Sequence, residues 1–241
     1  MTTTVEMLDS IKHRKLKINA KHYNCQQNQV NVASVVVSEL STLTHEYPIF
    51  ITKNSITGQF QLSAILGFTS QENLFLKGKK WQATYLPLDI LRRPFQLIQP
   101  DKNSTAQGHL AIDMSSEQLQ SKSGEKLFDT EGEPTEYLQR IQQSFSQLIK
   151  GSALTQDILS KADEFGLLEP ITINIELEGE KGTSLTGLYT FNQKAVTELK
   201  GKALEDCHNN SVLQVCHLLL SSGLHLEKLI KWKNKSLAVN N

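Results

Sequence analysis

The chain is poor in the residues and runs that usually announce a chemistry. It has three cysteines in 241 residues, Cys25, Cys207 and Cys216. An odd number scattered through a long chain is not a disulfide framework. It also lacks any run near the roughly 18 consecutive apolar residues that a membrane-spanning helix needs. The longest candidate, residues 212–220, is interrupted by Gln214 and His217. The first ten residues are polar and acidic, where a secretory leader would be basic and then apolar. Position 2 is Thr and the chain ends Val239-Asn240-Asn241, so no lipid anchor is expected. These features point to the cytoplasm, with no membrane span. Excess charge of one sign is missing as well: Lys plus Arg is 25, Asp plus Glu is 25, and the net charge is zero. A dedicated nucleic-acid binder carries a basic surplus, so nucleic acid is not an expected partner.

The motifs of catalysis and cofactor binding are equally scarce. Neither a P-loop nor a strand-following Gly-x-Gly-x-x-Gly occurs. Gly179 and Gly182 lie among Glu178 and Glu180, which would repel a pyrophosphate. A Gly-x-Ser-x-Gly elbow and a Cys-centred protease signature are absent. Cys207-His208 and Cys216-His217 suggest a doubled metal-ligand pair. On one continuous helix, nine residues turn through about 900°, which sends the pairs to opposite sides. One tetrahedral zinc could not take both unless the helix broke near residues 209–210. The plainer reading is a buried Cys216 with partly exposed histidines. We therefore expect no metal, no cofactor and no catalytic residues.

What is present is ordinary globular material, 39% hydrophobic and 21% charged. Residues 30–43 carry Val32, Val35, Val36, Leu40 and Leu43 at helical spacing, ended by Pro48. Residues 49–53 and 59–68 flank Asn54-Ser55-Ile56-Thr57-Gly58, which predicts a hairpin. In its second arm Phe60, Leu62, Ala64, Leu66 and Phe68 share one face, with Gln61 and Ser63 opposite, the pattern of a half-buried strand. Short strands are expected at 74–76, 81–85, 95–98 and 109–114, a turn or a single turn of helix at 88–93, and a polar loop at 100–108. Helices are expected from Pro134 to a Gly151 cap, from Thr155 to Gly166, and from an Asn192 cap to Leu199. A strand at 171–177 turns into a second run at 183–189, and a long helix closes the chain over 210–232.

Segregated strands and helices predict an α+β fold. We expect a mainly antiparallel, curled sheet of short strands, helices gathered in the C-terminal half and a long C-terminal helix. Residues 1–30 read as a polar arm or edge strand, 31–233 as one domain and 234–241 as a polar tail. Two tightly packed subdomains are the alternative.

Five residues are candidates for ligand binding. Arg92 and Arg93 beside Pro94-Phe95 could clamp a carboxylate or phosphate. In extended backbone only one would face a ligand, and pairing with Asp89 or Asp129 would instead brace the turn. Trp81 and Tyr85 could floor a ring-stacking site, although core packing is the commoner fate of such aromatics. Asp129, with Glu131, sits in turn chemistry where exposed acids are the default. Near the N-terminus, Lys12, His13, Arg14, Lys15, Lys17 and Lys21 form a basic cluster. It suits an anion or acidic lipid, or simply a solvated strand, since Leu16 and Ile18 alternate.

Several segments taken together resemble a known family. They are Tyr47-Pro48-Ile49-Phe50, Gly58-Gln59-Phe60, Leu66-Gly67-Phe68 and Glu72-Asn73-Leu74-Phe75. Trp81 with Tyr85-Leu86-Pro87 follows, and then Leu91-Arg92-Arg93-Pro94-Phe95. Leu127-Phe128-Asp129-Thr130-Glu131-Gly132-Glu133-Pro134, Phe165-Gly166-Leu167-Leu168 and Leu185-Thr186-Gly187-Leu188-Tyr189 complete the set. In order and spacing, over roughly residues 10–230, the chain resembles the SapC family of surface-layer-related bacterial proteins. That family tends to place an aromatic between arginine and Pro-Phe, whereas here Arg93 meets Pro94 directly. The resemblance implies a role around bacterial surface-layer proteins and supplies no catalytic residues. The expected function is thus a non-enzymatic accessory protein that binds a protein partner or a small anionic ligand, with self-association compatible. The alternative is an enzyme on a carbohydrate or amino-acid-derived substrate, using an Arg/carboxylate cleft.

Overall fold

Period-two runs become strands where a neighbouring strand completes the hydrogen-bond ladder, and this chain supplies neighbours from far along its length. The computed structural model describes residues 4–98, 108–120, 122–179 and 182–240, with the side chains of 239 and 240 excepted. The loop expected at 100–108 lies outside them except for Gly108. The strands are β1 (Val5–Met7), β2 (Lys17–Ile18), β3 (Val32–Val35), β4 (Ile49–Lys53), β5 (Phe60–Ile65), β6 (Leu76–Lys77) and β7 (Lys80–Trp81). They continue as β8 (Phe95–Ile98), β9 (His109–Asp113), β10 (Leu119–Gln120), β11 (Glu125–Lys126), β12 (Leu168–Ile175) and β13 (Thr183–Phe191). The helices are α1 (Leu40–Leu43), α2 (Leu88–Leu91), α3 (Glu136–Glu164), α4 (Gln193–Glu198), α5 (Gly201–Asn209), α6 (Val212–Ser222) and α7 (Leu226–Asn240). The class is α+β, and every strand pairing among the described residues is antiparallel.

Contacts divide the described residues into two compact units that interleave in sequence. The first takes those up to residue 29, with 75–82 and 88–148; the second takes 30–74, 83–87 and 149 onward. In the first unit β1-β9-β8 form one sheet, β10-β2-β11 another, and β6-β7 a hairpin. Its core joins Ile18, Phe95, Ile112, Leu127 and Phe128 to Tyr137, Leu138, Ile141 and Phe145 of α3. The four α3 residues recur at spacings of one, three and four, so they share one helix face.

The second unit is built on the sheet β12-β13-β4-β5-β3. β5 is central: Ala64 faces Ala33 of β3 on one side and Ile49 of β4 on the other. Leu62, Ser63, Ala64 and Ile65 are all buried in succession. The strand is therefore covered on both faces, not half-exposed as its alternation suggested. Burial obliges Ser63 to find a partner, and its hydroxyl lies 2.8 Å from Thr52 Oγ1.

Three sequence expectations are corrected. Residues 32–35 are strand, because β-branched valines pack well on the pleat beside β5, and only Leu40–Leu43 is α-helical. The helices expected on either side of residues 151–155 are one 29-residue helix, α3. The closing helix is divided by a tight turn at Gly223–His225 into α6 and α7, and α5 precedes it.

Gly151 explains the second correction. It is not a cap but a close-approach position inside α3. A Cβ built there would stand 2.7 Å from Val36 Cγ2 and 3.3 Å from Ser38 Oγ. Thr155, one turn later, fastens the same approach: its Oγ1 donates to Gly151 O at 2.6 Å and accepts from Val37 N–H at 2.9 Å.

α7 is docked by polar contacts within the second unit. His225 Nε2 lies 3.0 Å from Thr44 O, so it carries the proton and donates. Lys228 donates to Glu46 O. The Glu46 carboxylate accepts from Thr84 N–H at 2.8 Å and Tyr85 N–H at 3.0 Å. Burial and the Lys228 ammonium hold His225 below its ordinary 6.5. Burial raises Glu46, but the Thr84 and Tyr85 N–H bonds outweigh it and leave it below its ordinary 4.5.

Two outcomes follow. Alanine normally improves a helix over glycine by about 1 kcal/mol, yet Gly151→Ala should destabilise by roughly 1–2 kcal/mol, because buried Val36 is stiff and overpacking dominates. Urea denaturation measures this. His225, depressed in the folded state, binds fewer protons there than when unfolded. Its contribution is complete above pH 6.5 and declines as pH falls through its folded value. Urea midpoints taken on either side of pH 6.5 should differ less in His225→Gln than in the parent chain.

Candidate functional site

α2 follows Pro87, and its short helical path decides how the two arginines behave. Asp89, Arg92 and Arg93 stand at i, i+3 and i+4, which brings their side chains to one side. Asp89 therefore gathers both guanidinium groups. Arg92 reaches Asp89 Oδ1 through Nη2 at 2.5 Å and Nε at 3.1 Å, and donates to Phe95 O at 3.1 Å. Arg93 reaches Asp89 Oδ2 at 3.0 Å and Asp89 O at 3.1 Å, and also donates to Gln27 O. Gln27 in turn donates to Asp113 Oδ2 at 2.8 Å and accepts from Ser116 Oγ at 2.7 Å. Both arginines are tied into the framework of their own turn. The expectation that backbone extension would set them on opposite sides gives way to the helical geometry.

The aromatic pair separates. Trp81 ends β7, so the strand does not continue to residue 85 as expected. Trp81 is buried, stacked on Phe75 at 5.7 Å and 20°, with Tyr23 tilted at 6.3 Å. Tyr85 belongs to the second unit, is 49% exposed, and its carbonyl accepts from Tyr47 OH at 2.5 Å.

Asp129 forms the turn anticipated for it. Its Oδ1 accepts from Glu131 N–H and Glu133 N–H, each at 2.9 Å. This turn borders a groove of about 430 Å³ in the first unit, lined by Arg14, Lys15, Lys17, Lys126, Phe128, Asp129 and Thr130. The groove exists because β2 pairs with β11. That register places Lys17 directly opposite Lys126 and Ile18 opposite Glu125. Gly124 permits the approach: its φ is +113°, and a Cβ there would meet Ile18 O at 2.5 Å. Like charges directly opposite across a strand pair repel. Lys17 donates to Lys122 O at 3.0 Å, a neutral carbonyl.

The N-terminal basic cluster is thereby sorted. A tight turn begins at Asp9, whose Oδ1 accepts from Ile11 and Lys12 N–H at 2.9 and 2.6 Å. Lys12 and His13 both engage Glu6 Oε2, at 2.6 and 3.2 Å. Arg14, Lys15, Lys17 and Lys126 form no ion pair among the described residues. Sequence reading noticed the first three but missed Lys126, which lies 109 positions beyond Lys17 and joins only through strand pairing.

The cysteines stay apart from this chemistry. The chain does break between α5 and α6, where Ser211 has φ +61°. Even so, no group of three or more His, Cys, Asp or Glu among the described residues is placed to hold a metal. Burial pushes the Cys216 thiol up to about 11, which disfavours the thiolate. No described helix is long and apolar enough to cross a membrane.

One comparison with known proteins agrees with the resemblance. A family model described as SapC matches residues 8–229. No curated protein and no solved structure matches.

Because the single Asp89 carboxylate is shared by two partly buried guanidinium groups, Asp89→Ala should cost roughly 2–4 kcal/mol of stability, leaving both charges without their carboxylate. Arg92→Lys should cost less, since one donor to Asp89 survives. Guanidinium chloride denaturation of the two variants checks the ranking.

Proposed function

The chain belongs to the SapC family, and from that premise we propose that it is a non-enzymatic accessory protein of the cytoplasm, working with bacterial surface-layer or cell-envelope proteins by binding a protein partner or a small anionic ligand. One observation carries this reading: four cations without carboxylate partners converge on one groove, two of them directly opposite across β2 and β11. Such an arrangement is unfavourable while empty of anions and is relieved when a negative group enters. An acidic peptide segment or a phosphate-bearing small molecule has the required charge. Phe128 and Thr130 add an apolar surface and a hydroxyl beside the cations. Asp129 lines the same groove and offsets only one of these four charges, its Oδ1 also accepting from two backbone N–H groups, so the groove keeps a positive excess. Single exposed ion pairs contribute only about 0.2–1 kcal/mol each, so affinity has to come from several cations acting together.

The residues of the alternative Arg/carboxylate cleft are differently placed. Arg92 and Arg93 hold Asp89, and Asp129 holds its own turn. The geometry therefore supports binding better than turnover.

Calorimetric titration with sodium pyrophosphate and, separately, with a short poly-glutamate peptide tests the proposal. At low ionic strength at least one should bind, and affinity should fall as salt rises. Lys126→Glu should weaken binding about tenfold while leaving the fold as stable or slightly more so, because the repulsion across Lys17 becomes an attraction. Absence of binding by both probes, or equal affinity in the folded variant, would overturn the reading.

A further inference from the structure

We infer that the second unit carries a separate binding site for an uncharged, hydroxyl-rich ligand of about one sugar ring. The site is a cavity of about 150 Å³ enclosed by β3, the β4–β5 hairpin and the part of α3 around residues 152–156. A cavity near this size holds a six-membered ring such as benzene. Here, however, the walls are polar. Ser34, Asn54, Gln59, Gln61, Thr155 and Gln156 are among the lining residues, none of which carries a formal charge, and the Gln61 amide is held by Asn54 and Thr52. Such walls cannot neutralise a phosphate, carboxylate or ammonium, so an ionic ligand would lose hydration without compensation. A neutral polyol, in which each hydroxyl both donates and accepts, matches a mixed amide and hydroxyl lining.

The walls are organised before any ligand arrives. Asn54 Oδ1 accepts from Ile56 and Thr57 N–H at 2.9 and 3.1 Å, which shapes the hairpin tip. Thr155 is held by Gly151 O and Val37 N–H, and the Gly151–Val36 approach sets the opposite wall. Phe60 is the one aromatic among the lining residues. Its ring meets Tyr189 in an edge-to-face arrangement, with centroids 5.0 Å apart and planes at 77°, and the Lys53 ammonium lies 4.6 Å from its centroid.

Other groups are left over. The exposed Ser34 and Ser152 hydroxyls and the exposed Gln59 side-chain amide make no hydrogen bond among the described residues. Gln156 donates to Ser160 Oγ at 3.0 Å, which leaves its carbonyl oxygen for a ligand hydroxyl. The cavity thus combines fixed walls with unengaged donors and acceptors around its rim.

Saturation-transfer NMR on the full chain, with D-glucose, D-galactose, D-mannose and N-acetyl-D-glucosamine as probes, tests this. At least one should receive transfer from the protein. Changing Gln59 and Gln156 together to Ala should weaken that probe about tenfold, the effect of losing one or two hydrogen bonds. Ser152→Trp, at an exposed helix position, should fill the cavity and abolish transfer. Lys126→Glu should leave sugar binding unchanged, which keeps this site independent of the basic groove. The inference is overturned if none of the four sugars shows transfer, or if transfer survives in folded Ser152→Trp.

Discussion

The burial of Ile18 is the constraint on which the basic groove depends. Its side chain is fully buried in the first unit's core, and on either side its strand pairs with β10 and β11. A strand alternates its faces, so burying Ile18 turns Lys17 outward, and a slip of one residue would exchange them. Putting the ammonium group in the core would cost several kilocalories per mole, so the register is firmly held. Once it is held, Lys17 has to face Lys126, whatever repulsion results. The apolar residue thus decides where the charges stand, because hydrophobic burial outweighs exposed electrostatics.

Two sets of charged groups contrast in this protein. Arg92 and Arg93 converge on one carboxylate, and Lys233 meets Glu72 at 2.9 Å with both side chains largely covered. These pairs hold turns and helices in place, and removing either member would strand its partner in a poorly solvated position. Arg14, Lys15 and Lys126 are exposed, border one groove, and have no opposite charge within ion-pair distance among the described residues. Proximity to an aromatic or to proline, which drew attention to Arg92 and Arg93, does not separate the two sets. Access to solvent and lack of a carboxylate do.

The second unit solves a different problem. Its central strand is covered on both faces, so its polar residues need internal partners, and Ser63 finds Thr52 while Ser222 of α6 accepts from Ile49 N–H at 3.1 Å. Toward the hairpin end the same sheet opens, and neutral amides and hydroxyls remain at the rim. One unit therefore presents unpaired positive charge and the other an uncharged polar cavity, two surfaces suited to chemically distinct ligands.

Much of the architecture was legible in local sequence. The β4–β5 hairpin, the β12–β13 pair, the Asn192 cap and the family resemblance all follow from side-chain period, turn residues and the order of short segments. Those features depend on neighbours a few positions apart, where covalent geometry dominates. Local reading failed where distant segments compete. Val32 and Val35 have helical spacing, but β5 offered them a ladder; Gly151 looks like a helix stop, but Val36 needed the space its missing Cβ leaves. The candidate site was less legible still. Arg14, Lys15 and Lys17 stand out in any reading, yet their meaning waits on Lys126, which no periodicity connects to them. Composition and period determined which pieces form and that they make an α+β fold. Tertiary structure alone decided which charges are answered and which are left facing water, because that depends on long-range pairing driven by buried apolar residues rather than by the charges themselves.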